Sequence, residues 1–295
     1  MLPSSFFTIF AQLLISAFVL GMLYAWLASG LTLMYGSSRV VNFAHGDITM
    51  LGAYLTYWLF TLYNVSPLIS FLLEALLFGG VAILVFIAIT RPLRKRSRTG
   101  DEFEMATIIA TFAMSMWCMN FAGLLWTATP RGFRYLPQVL SFSGINLEMN
   151  RLLILILSSV SFILLYAFLS KTRIGKGIIY TIQNSDAAQL VGVDVEKVAL
   201  LSHIIGFVTA ATAGACHSLF WTISPTIDMF YCLIAWTVII IGGVGSLRGC
   251  LVAGLIIGIL ETFAVYLLSP ALRITINYGA LLTILYFKPR GLFRR

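Results

Sequence analysis

The chain has 295 residues, of which 60% are hydrophobic and 10% are charged, and its mean hydropathy is +0.96. Because one soluble core cannot bury this much apolar surface, we expect lipid to be the solvent around the chain. The formal net charge is +8, but the basic residues stand in short clusters between long apolar runs. That arrangement is typical of membrane topology signals and argues against a nucleic-acid-binding face.

Nine stretches approach or exceed the roughly 20 apolar residues that a helix needs to cross a bilayer. They are 6–36, 46–63, 67–90, 103–126, 151–169, 198–222, 229–247, 249–268 and 271–287. Because a backbone in lipid must satisfy its own hydrogen bonds, they predict an all-α, polytopic transmembrane helical bundle of eight or nine spans. The count stays open because two glycine-rich segments would also fit re-entrant helices.

The first apolar run is longer than a bilayer core and contains Gly21 and Gly30, which predicts a strong tilt or a break. It continues far past the length of a secretory signal and lacks a cleavage site, so we expect it to be retained as a helix.

The basic residues orient the bundle. With the N-terminus outside, fifteen of the nineteen lysines and arginines face the cytoplasm, and the other four are Arg131, Arg134, Arg151 and Arg273. The positive-inside rule therefore predicts an N-out, C-in chain. Residues 1–295 are expected to form a single transmembrane domain, with polar stretches at 127–150 outside and at 170–197 inside.

The inner polar stretch, residues 170–197, contains Ile178, Ile179 and Ile182 near helical spacing, which predicts a pair of short amphipathic helices. Its residues 186–192 are Asp-Ala-Ala-Gln-Leu-Val-Gly. The small residues let a helix sit in a groove, and the glycine permits a sharp turn. This pattern resembles the cytoplasmic coupling loop of ATP-binding-cassette (ABC) permeases, whose helix fits a cleft on a separate ATPase subunit. An ordinary solvated loop is the alternative.

Two further blocks carry a more specific resemblance. Residues 36–47 are Gly-Ser-Ser-Arg-Val-Val-Asn-Phe-Ala-His-Gly-Asp, and residues 242–249 are Gly-Gly-Val-Gly-Ser-Leu-Arg-Gly. Together with the inner loop they resemble the signatures of the branched-chain amino acid ABC transporter permease family over nearly the whole chain. Asp47 and Asp186 are mild departures, at positions where glutamate would also fit.

The resemblance suggests two sets of functional residues. The coupling-loop residues are Arg173, Gly175, Asn184, Asp186, Ala187, Ala188 and Gly192. The candidates for the translocation pathway or its gate are Arg39, Asn42, His45, Asp47, Gly242, Gly243, Gly245, Ser246 and Glu261. The glycines either permit helix movement or only pack a rigid bundle, and Gly254-x-x-x-Gly258 predicts a close helix contact.

Ionisable groups near or within apolar segments need partners. We expect Arg39 and Asp47 to form an ion pair at the inner boundary, where structural use is favoured over direct contact with solute. Glu74 and Glu261 are functional candidates by position, although each would also fit a bond to neighbouring backbone or hydroxyl groups.

No group for catalysis is visible. The chain lacks a Gly-x-x-x-x-Gly-Lys-Ser/Thr phosphate loop, a His-Glu-x-x-His helix and a Gly-x-Ser-x-Gly elbow. His203, His217 and the four cysteines lack metal-ligand spacing and are expected to be structural. We therefore expect a transport subunit rather than an enzyme, with no catalytic, cofactor-binding or metal-binding residues.

The resemblance implies the ABC importer permease fold and a permease subunit of the bacterial or archaeal cytoplasmic (inner) membrane. It would import branched-chain or other hydrophobic amino acids by alternating access. The implied partners are a second permease chain, different from this one in the family's usual heterodimer, two cytoplasmic ABC ATPase subunits that bind ATP-Mg, and an extracytoplasmic solute-binding protein.

Two alternatives remain open at this level. Urea or short amides are the alternative substrates, because related permeases share these signatures. A self-sufficient channel or ion-coupled transporter, lined by Arg39, Asp47, Glu74 or Glu261, is the alternative from a different class, and scarce intramembrane charge argues against it.

Overall fold

A computed structural model describes residues 2–142, 144–289 and 291–293, and most of them are helical. The helices are α1 (Leu2–Ser38), α2 (His45–Tyr63), α3 (Pro67–Val85), α4 (Arg91–Arg96), α5 (Gly100–Trp126), α6 (Met149–Lys171), α7 (Arg173–Gln183), α8 (Ser185–Leu190), α9 (Val195–Ser218), α10 (Ile227–Gly242), α11 (Leu247–Leu267) and α12 (Arg273–Phe287). A π-helical turn (Phe86–Thr90) joins α3 to α4, and a 3-10 turn (Pro270–Leu272) precedes α12. Strands β1 (Val139–Phe142) and β2 (Ile145–Glu148) form an antiparallel hairpin before α6.

Within the described residues, six helical segments are long and apolar enough to cross a membrane. They are Phe7–Ser38, Pro67–Arg96, Gly100–Trp126, Met149–Lys171, Val195–Ser218 and Leu247–Leu267. The other three predicted stretches correspond to α2, α10 and α12, which have 19, 16 and 15 residues. The helical bundle is confirmed, whereas six segments rather than eight or nine meet the spanning criterion.

Helix α1 is continuous, so the predicted break is wrong. It packs against α6, α9, α10 and α11. A Cβ atom added to Gly21 would lie 2.8 Å from the Cα of Leu255, and one added to Gly30 would lie 2.7 Å from the Cα of Gly206. The two glycines therefore let α1 approach α11 and α9 closely, which is the use of small residues expected between membrane helices.

The Gly254-x-x-x-Gly258 pattern forms the α11 side of this contact. Added Cβ atoms would lie 2.7 Å from the amide nitrogen of Ala25 and 2.5 Å from that of Gly21. The predicted close helix contact is confirmed, and its partner is the centre of α1.

Among the candidate spans, helices α9 and α5 differ most in burial. Helix α9 packs against α1, α2 and α3, and it is the most buried of the candidate spans. Helix α5 is the least buried, and its buried residues are Phe103, Thr107, Thr111 and Ala122. Because α5 packs so little of its surface against the rest of the chain, we expect it to move more easily than the other candidate spans.

Candidate functional site

The polar stretch at residues 170–197 folds as the predicted helix pair. The hydroxyl of Thr172 accepts a hydrogen bond from the Gly175 amide at 2.9 Å and begins α7. The side chain of Asn184 accepts from the amides of Asp186 and Ala187, both at 3.0 Å, and begins α8. These side chains satisfy amides that the first turn of a helix leaves free, so each short helix starts at a defined residue.

A glycine and an aspartate set the exit from α8. Gly192 has a φ of +85°, a left-handed conformation that glycine adopts without the steric cost of a side chain. The carboxylate of Asp194 then accepts a hydrogen bond from the Lys197 amide at 3.0 Å and begins α9. This bond, together with the Lys197 ammonium, lowers the pKa of the Asp194 carboxyl below its ordinary value.

Helix α8 presents an apolar tip to solvent. Leu190 is 89% exposed and Val191 is 76% exposed, whereas Ala188 is buried against the protein. Asp186 and Ala187 lie on the exposed part of the same helix. Two large apolar side chains so exposed at the end of a short polar loop are typical of a surface that another protein covers.

The helix pair is packed directly against two membrane helices. An added Cβ at Gly175 would lie 2.3 Å from the carbonyl oxygen of Phe168, so the start of α7 lies against the end of α6. At the other end of α7, Ile182 contacts Gly245, where an added Cβ would lie 2.5 Å from its Cγ2. Gly36 of α1 lies against the same glycine. Ile182 therefore joins the helix pair to α1 and to the turn between α10 and α11.

The glycine-rich block forms that turn. Gly243 and Gly245 have φ values of +94° and +79°, and Gly245 donates its amide to the Thr32 hydroxyl at 2.9 Å. The Ser246 hydroxyl accepts from the Gly249 amide at 3.0 Å and begins α11. An added Cβ at Gly249 would lie 2.0 Å from the carbonyl oxygen of Gly242. These residues hold α10 and α11 close together.

Between α1 and α2 the chain is extended, and it re-enters the depth of the membrane helices. The His45 Nε2 lies 2.9 Å from the carbonyl oxygen of Leu27. Leu27 is about 16 Å along α1 from its last residue, Ser38, at 1.5 Å per residue. The first residue of helix α2 thus lies beside the middle of α1 rather than beside its C-terminal end.

Threonines of α5 satisfy the extended backbone. The Thr107 hydroxyl accepts from the Val41 amide at 3.3 Å. The Thr111 hydroxyl accepts from the Phe43 amide at 3.1 Å and lies 3.0 Å from the Val41 carbonyl oxygen. Irregular backbone at membrane depth is tolerated where protein groups replace the missing hydrogen bonds, and α5 supplies them here.

The signature residues after this segment are buried and incompletely partnered. Asn42 uses its Oδ1 to accept from the Ala44 amide at 3.0 Å. Among the described residues no hydrogen-bond partner meets the Asn42 Nδ2, the His45 Nδ1 or either carboxylate oxygen of Asp47. Asp47 is 1% exposed, and charged or polar groups left without partners in such a setting indicate function rather than stability.

The predicted ion pair between Arg39 and Asp47 is wrong. Arg39 follows the end of α1 with a φ of +55° and lies 3.8 Å from Glu104 of α5. The extended segment carries Asp47 away from this surface into the bundle, which separates the two charges.

Glu261 has a different environment. The Tyr24 hydroxyl lies 3.0 and 3.1 Å from its two carboxylate oxygens, the Asn277 amide donates at 2.8 Å, and Arg273 forms an ion pair with it. The guanidinium of Arg273 also donates to Tyr24 at 2.9 Å. This set of residues, here called the Glu261 cluster, joins α1, α11 and α12.

His203 and His217 have protein partners on both ring nitrogens, as expected of structural residues. His203 contacts the Thr90 hydroxyl at 3.0 Å and the Ala199 carbonyl at 3.1 Å. His217 contacts the Thr222 carbonyl at 3.1 Å and the Tyr231 hydroxyl. The carboxylate of Glu74 accepts one hydrogen bond, from the Thr56 hydroxyl to Oε1 at 2.5 Å.

Sequence reasoning missed several residues of these sites. Thr107 and Thr111 gave no signal beyond a spacing of four on an apolar helix, and Tyr24 and Asn277 gave none. Arg273 was counted only as an outer charge. Asp228, an acidic residue at the start of an apolar stretch, had the same signal as Glu74 and could have been found by it.

Comparison with known proteins settles the family. Residues 13–286 match the family model described as branched-chain amino acid transport system / permease component. The chain belongs to this family. It is a multi-pass inner-membrane permease of the ABC transporter class, and the family consists of transport subunits rather than enzymes.

Curated relatives match this permease over almost its whole length. The high-affinity branched-chain amino acid permease BraD of Pseudomonas aeruginosa is 26% identical, with 97% of this chain and 96% of BraD covered. LivH of Salmonella typhimurium is 27% identical, with 98% and 97% covered. A probable LivH of the archaeon Methanocaldococcus jannaschii is 28% identical, with 88% and 82% covered.

The structure of PsaBC from Streptococcus pneumoniae in complex with Fab is similar in fold. The TM-score is 0.50 at 13% identity, with 96% of this permease and 93% of that chain covered. At this identity the likeness concerns the fold alone.

Proposed function

We propose that this permease is one of two membrane subunits of an ABC importer for branched-chain or other hydrophobic amino acids. The observation that carries the proposal is the family match over residues 13–286, together with relatives whose names specify branched-chain amino acid transport. The exposed tip of α8 agrees with it, because a coupling helix must offer a surface to a separate ATPase.

We infer eight or nine spans in an N-out, C-in orientation, with α2, α10 and α12 added to the six long segments. The segments assigned to the cytoplasm meet at one end of the molecule. One recess of about 560 Å³ is lined by residues of all three segments: Gly36 to Arg39, then Ser97, Thr99 and Gly100, and Gln183 to Asp186. Segments assigned to the outside pair at the other end, where Arg131 and Ile223 form a backbone bridge.

Residues 170–197 act as the coupling loop in this proposal. The ATPase subunits bind ATP-Mg and close against each other, and the closure displaces α7 and α8. Ile182 passes the displacement to Gly36 and Gly245, so that α1 and the turn between α10 and α11 move together. Because these glycine contacts are closely packed, the displacement of α7 would be transmitted to α1 and to the turn with little loss in local deformation.

The remaining partners are a second permease subunit, most simply a different chain, and an extracytoplasmic solute-binding protein. Helix α5 offers a surface for the second permease, because its exposed side carries Ile109, Phe112, Met116 and Trp117. The signature residues Asn42, His45 and Asp47 lie behind this helix and line the proposed pathway. No cofactor is assigned to this chain.

The coupling role is tested with Leu190→Ser. Since Leu190 is 89% exposed, its replacement should leave the folded permease unchanged, within about 0.5 kcal/mol. We expect ATP-driven leucine uptake by the reconstituted complex, and retention of the ATPase subunits in mild detergent, to fall at least about tenfold, since a central apolar contact is lost.

The matched control is Val139→Ser, which removes a half-exposed apolar side chain at the opposite end of the molecule and should leave ATPase retention unchanged. Full ATPase retention and full uptake in Leu190→Ser would contradict the coupling assignment. Uptake by this chain alone, without ATPases, would instead favour a self-sufficient channel. Competition by urea or acetamide, but not by leucine, would replace the proposed substrate with short amides.

A further inference from the structure

Two buried aspartates, Asp47 and Asp228, lie in first turns of helices that pack against each other, and neither has a compensating charge in the described part of the chain. Asp47 is 1% exposed and Asp228 is 5% exposed. Gly46 packs so closely on the Asp228 backbone that an added Cβ would lie 1.8 Å from its carbonyl oxygen, and the two carboxylates are within electrostatic range of each other. Neither forms an ion pair with any residue that the structure describes.

Their oxygens are also short of hydrogen bonds. Both oxygens of Asp47 and one of Asp228 lack a partner of normal geometry among the described residues, although the Ser115 hydroxyl approaches Asp47. Like charges at close range in a low-dielectric setting repel each other, and each pays a desolvation cost. A bound cation would therefore remove both the repulsion between the carboxylates and the lack of hydrogen-bond donors.

The helix ends around the pair offset part of the cost of burying negative charge there. Asp47 lies in the first turn of α2 and Asp228 in the first turn of α10, and neither helix has a side-chain cap bond at its start. The partial positive charge at a helix N-terminus stabilises a nearby carboxylate. Two first turns that converge at membrane depth resemble the discontinuous helices that form binding sites in transporters.

A sparsely buried part of helix α5 lies next to the pair. Ser115 approaches Asp47, and Cys118 is within electrostatic range of both carboxylates. Between Thr111 and Ala122 no residue of α5 is buried. A small outward movement of this part of α5 would expose the carboxylates to whatever lies between this chain and its neighbour.

We propose that Asp47 and Asp228 bind the ammonium group of the amino acid as it crosses the membrane, when α5 moves away from α2 and α10. The ammonium has three donors and one positive charge, which suit two carboxylates on neighbouring helices. A metal ion is a poorer fit, because no group of three histidine, cysteine or acidic side chains in the described residues is placed to hold one. This inference rests on the proposed function.

The first test is ATP-driven leucine uptake by the permease reconstituted with its partner subunits. Asp47→Asn and Asp228→Asn should each lower the rate at least about tenfold, since a charge-assisted hydrogen bond is lost. Asp47→Glu should retain uptake within a few-fold. The matched control is Asp101→Asn, the same change at an exposed site on α5, and it should have no effect.

Loss of folding does not explain the expected result, because removing an unpaired buried charge removes a cost. The asparagine variants should assemble with their partners at the wild-type level, which the amount of purified complex measures. Leucine uptake by both variants at the wild-type rate would overturn the inference and leave the proposed function standing. A wild-type complex that takes up no amino acid would instead contradict the proposed function.

A second test uses Cys118, which is half-buried while the other three cysteines are buried. Methanethiosulfonates of similar size with an ammonium or a sulfonate group should modify it at different rates. We expect the cationic reagent to react about tenfold faster than the anionic one, because nearby carboxylates concentrate cations. The ratio should approach one in Asp47→Asn/Asp228→Asn. An unchanged ratio would overturn the inference without reference to uptake.

Discussion

The Glu261 cluster and the Asp47–Asp228 pair are both buried acidic sites, yet they are built in opposite ways. Glu261 accepts from Tyr24, Asn277 and Arg273, so every part of its charge has a partner. Asp47 and Asp228 have no ion-pair partner among the described residues and three oxygens without hydrogen bonds. The first site joins three helices, whereas the second adds a cost to the fold.

The difference separates stability from function. A buried ion pair with complete hydrogen bonding holds its elements in one arrangement, and breaking it leaves a charge exposed to an apolar environment. A buried charge without partners is retained only if something other than stability selects it. Glu261, which sequence reasoning placed with the pathway candidates, has the full set of partners expected of a structural residue, while our proposal assigns a binding role to Asp47.

The largest effect is expected for Glu261→Ala. Arg273 would lose its ion pair and remain partly buried, which should lower the free energy of unfolding by about 3 kcal/mol. Unfolding by SDS in mixed micelles measures the change. The control is Glu148→Ala, whose ion pair with Arg151 is partly exposed and should contribute less than about 1 kcal/mol. Equal effects of the two substitutions would contradict the structural role of the cluster.

An intermediate effect is expected for Thr56→Val, because Glu74 lies between the two extremes. Its Oε1 accepts from Thr56 at 2.5 Å, and its Oε2 has no partner among the described residues. Removing the hydroxyl should lower the free energy of unfolding by about 1 kcal/mol, the usual scale for hydrogen bonds between membrane helices. Thr61→Val, at an exposed position of the same helix, is the control. A decrease in the free energy of unfolding as large as that of Glu261→Ala would contradict the expected order of effects.

The smallest effect on stability is expected for Asp47→Asn, which should leave the free energy of unfolding unchanged or raise it. The substitution removes a charge that has no partner and leaves a side chain of nearly the same shape. The same SDS titration measures it. A loss of about 2 kcal/mol or more would show that Asp47 is a structural residue and would place it with Glu261.

The sequence was informative wherever local chemistry decides the structure. Apolar runs predicted nine helical stretches, and each contains a helix, although residues 219–222 and 243–246 are not helical. The isoleucine spacing and the glycine of residues 170–197 predicted two short helices, and Asn184 and Gly192 begin and end the second one. The family resemblance rested on three short blocks and is confirmed by the match over residues 13–286.

The sequence failed where the partner of a residue lies far away in the chain. Asp47 was matched with Arg39 because both were expected at the inner membrane boundary, but the extended segment separates them. Gly21 and Gly30 suggested a break in the first helix, and they instead allow contacts with α11 and α9, more than 170 positions away. Burial and spacing along one helix carry no information about which distant helix lies opposite.

By itself, then, the sequence determined that this chain is a membrane-spanning helical permease with a pair of short helices in residues 170–197, because hydropathy, caps and turns act over a few residues. Tertiary structure alone decided which buried charges are compensated. Tyr24 and Glu261 meet across 237 positions, while Asp47 and Asp228 have no ion-pair partner among the described residues. Helix packing chooses these neighbours, and in a low-dielectric interior the choice of neighbour decides whether a charge stabilises the fold or is free to bind a solute.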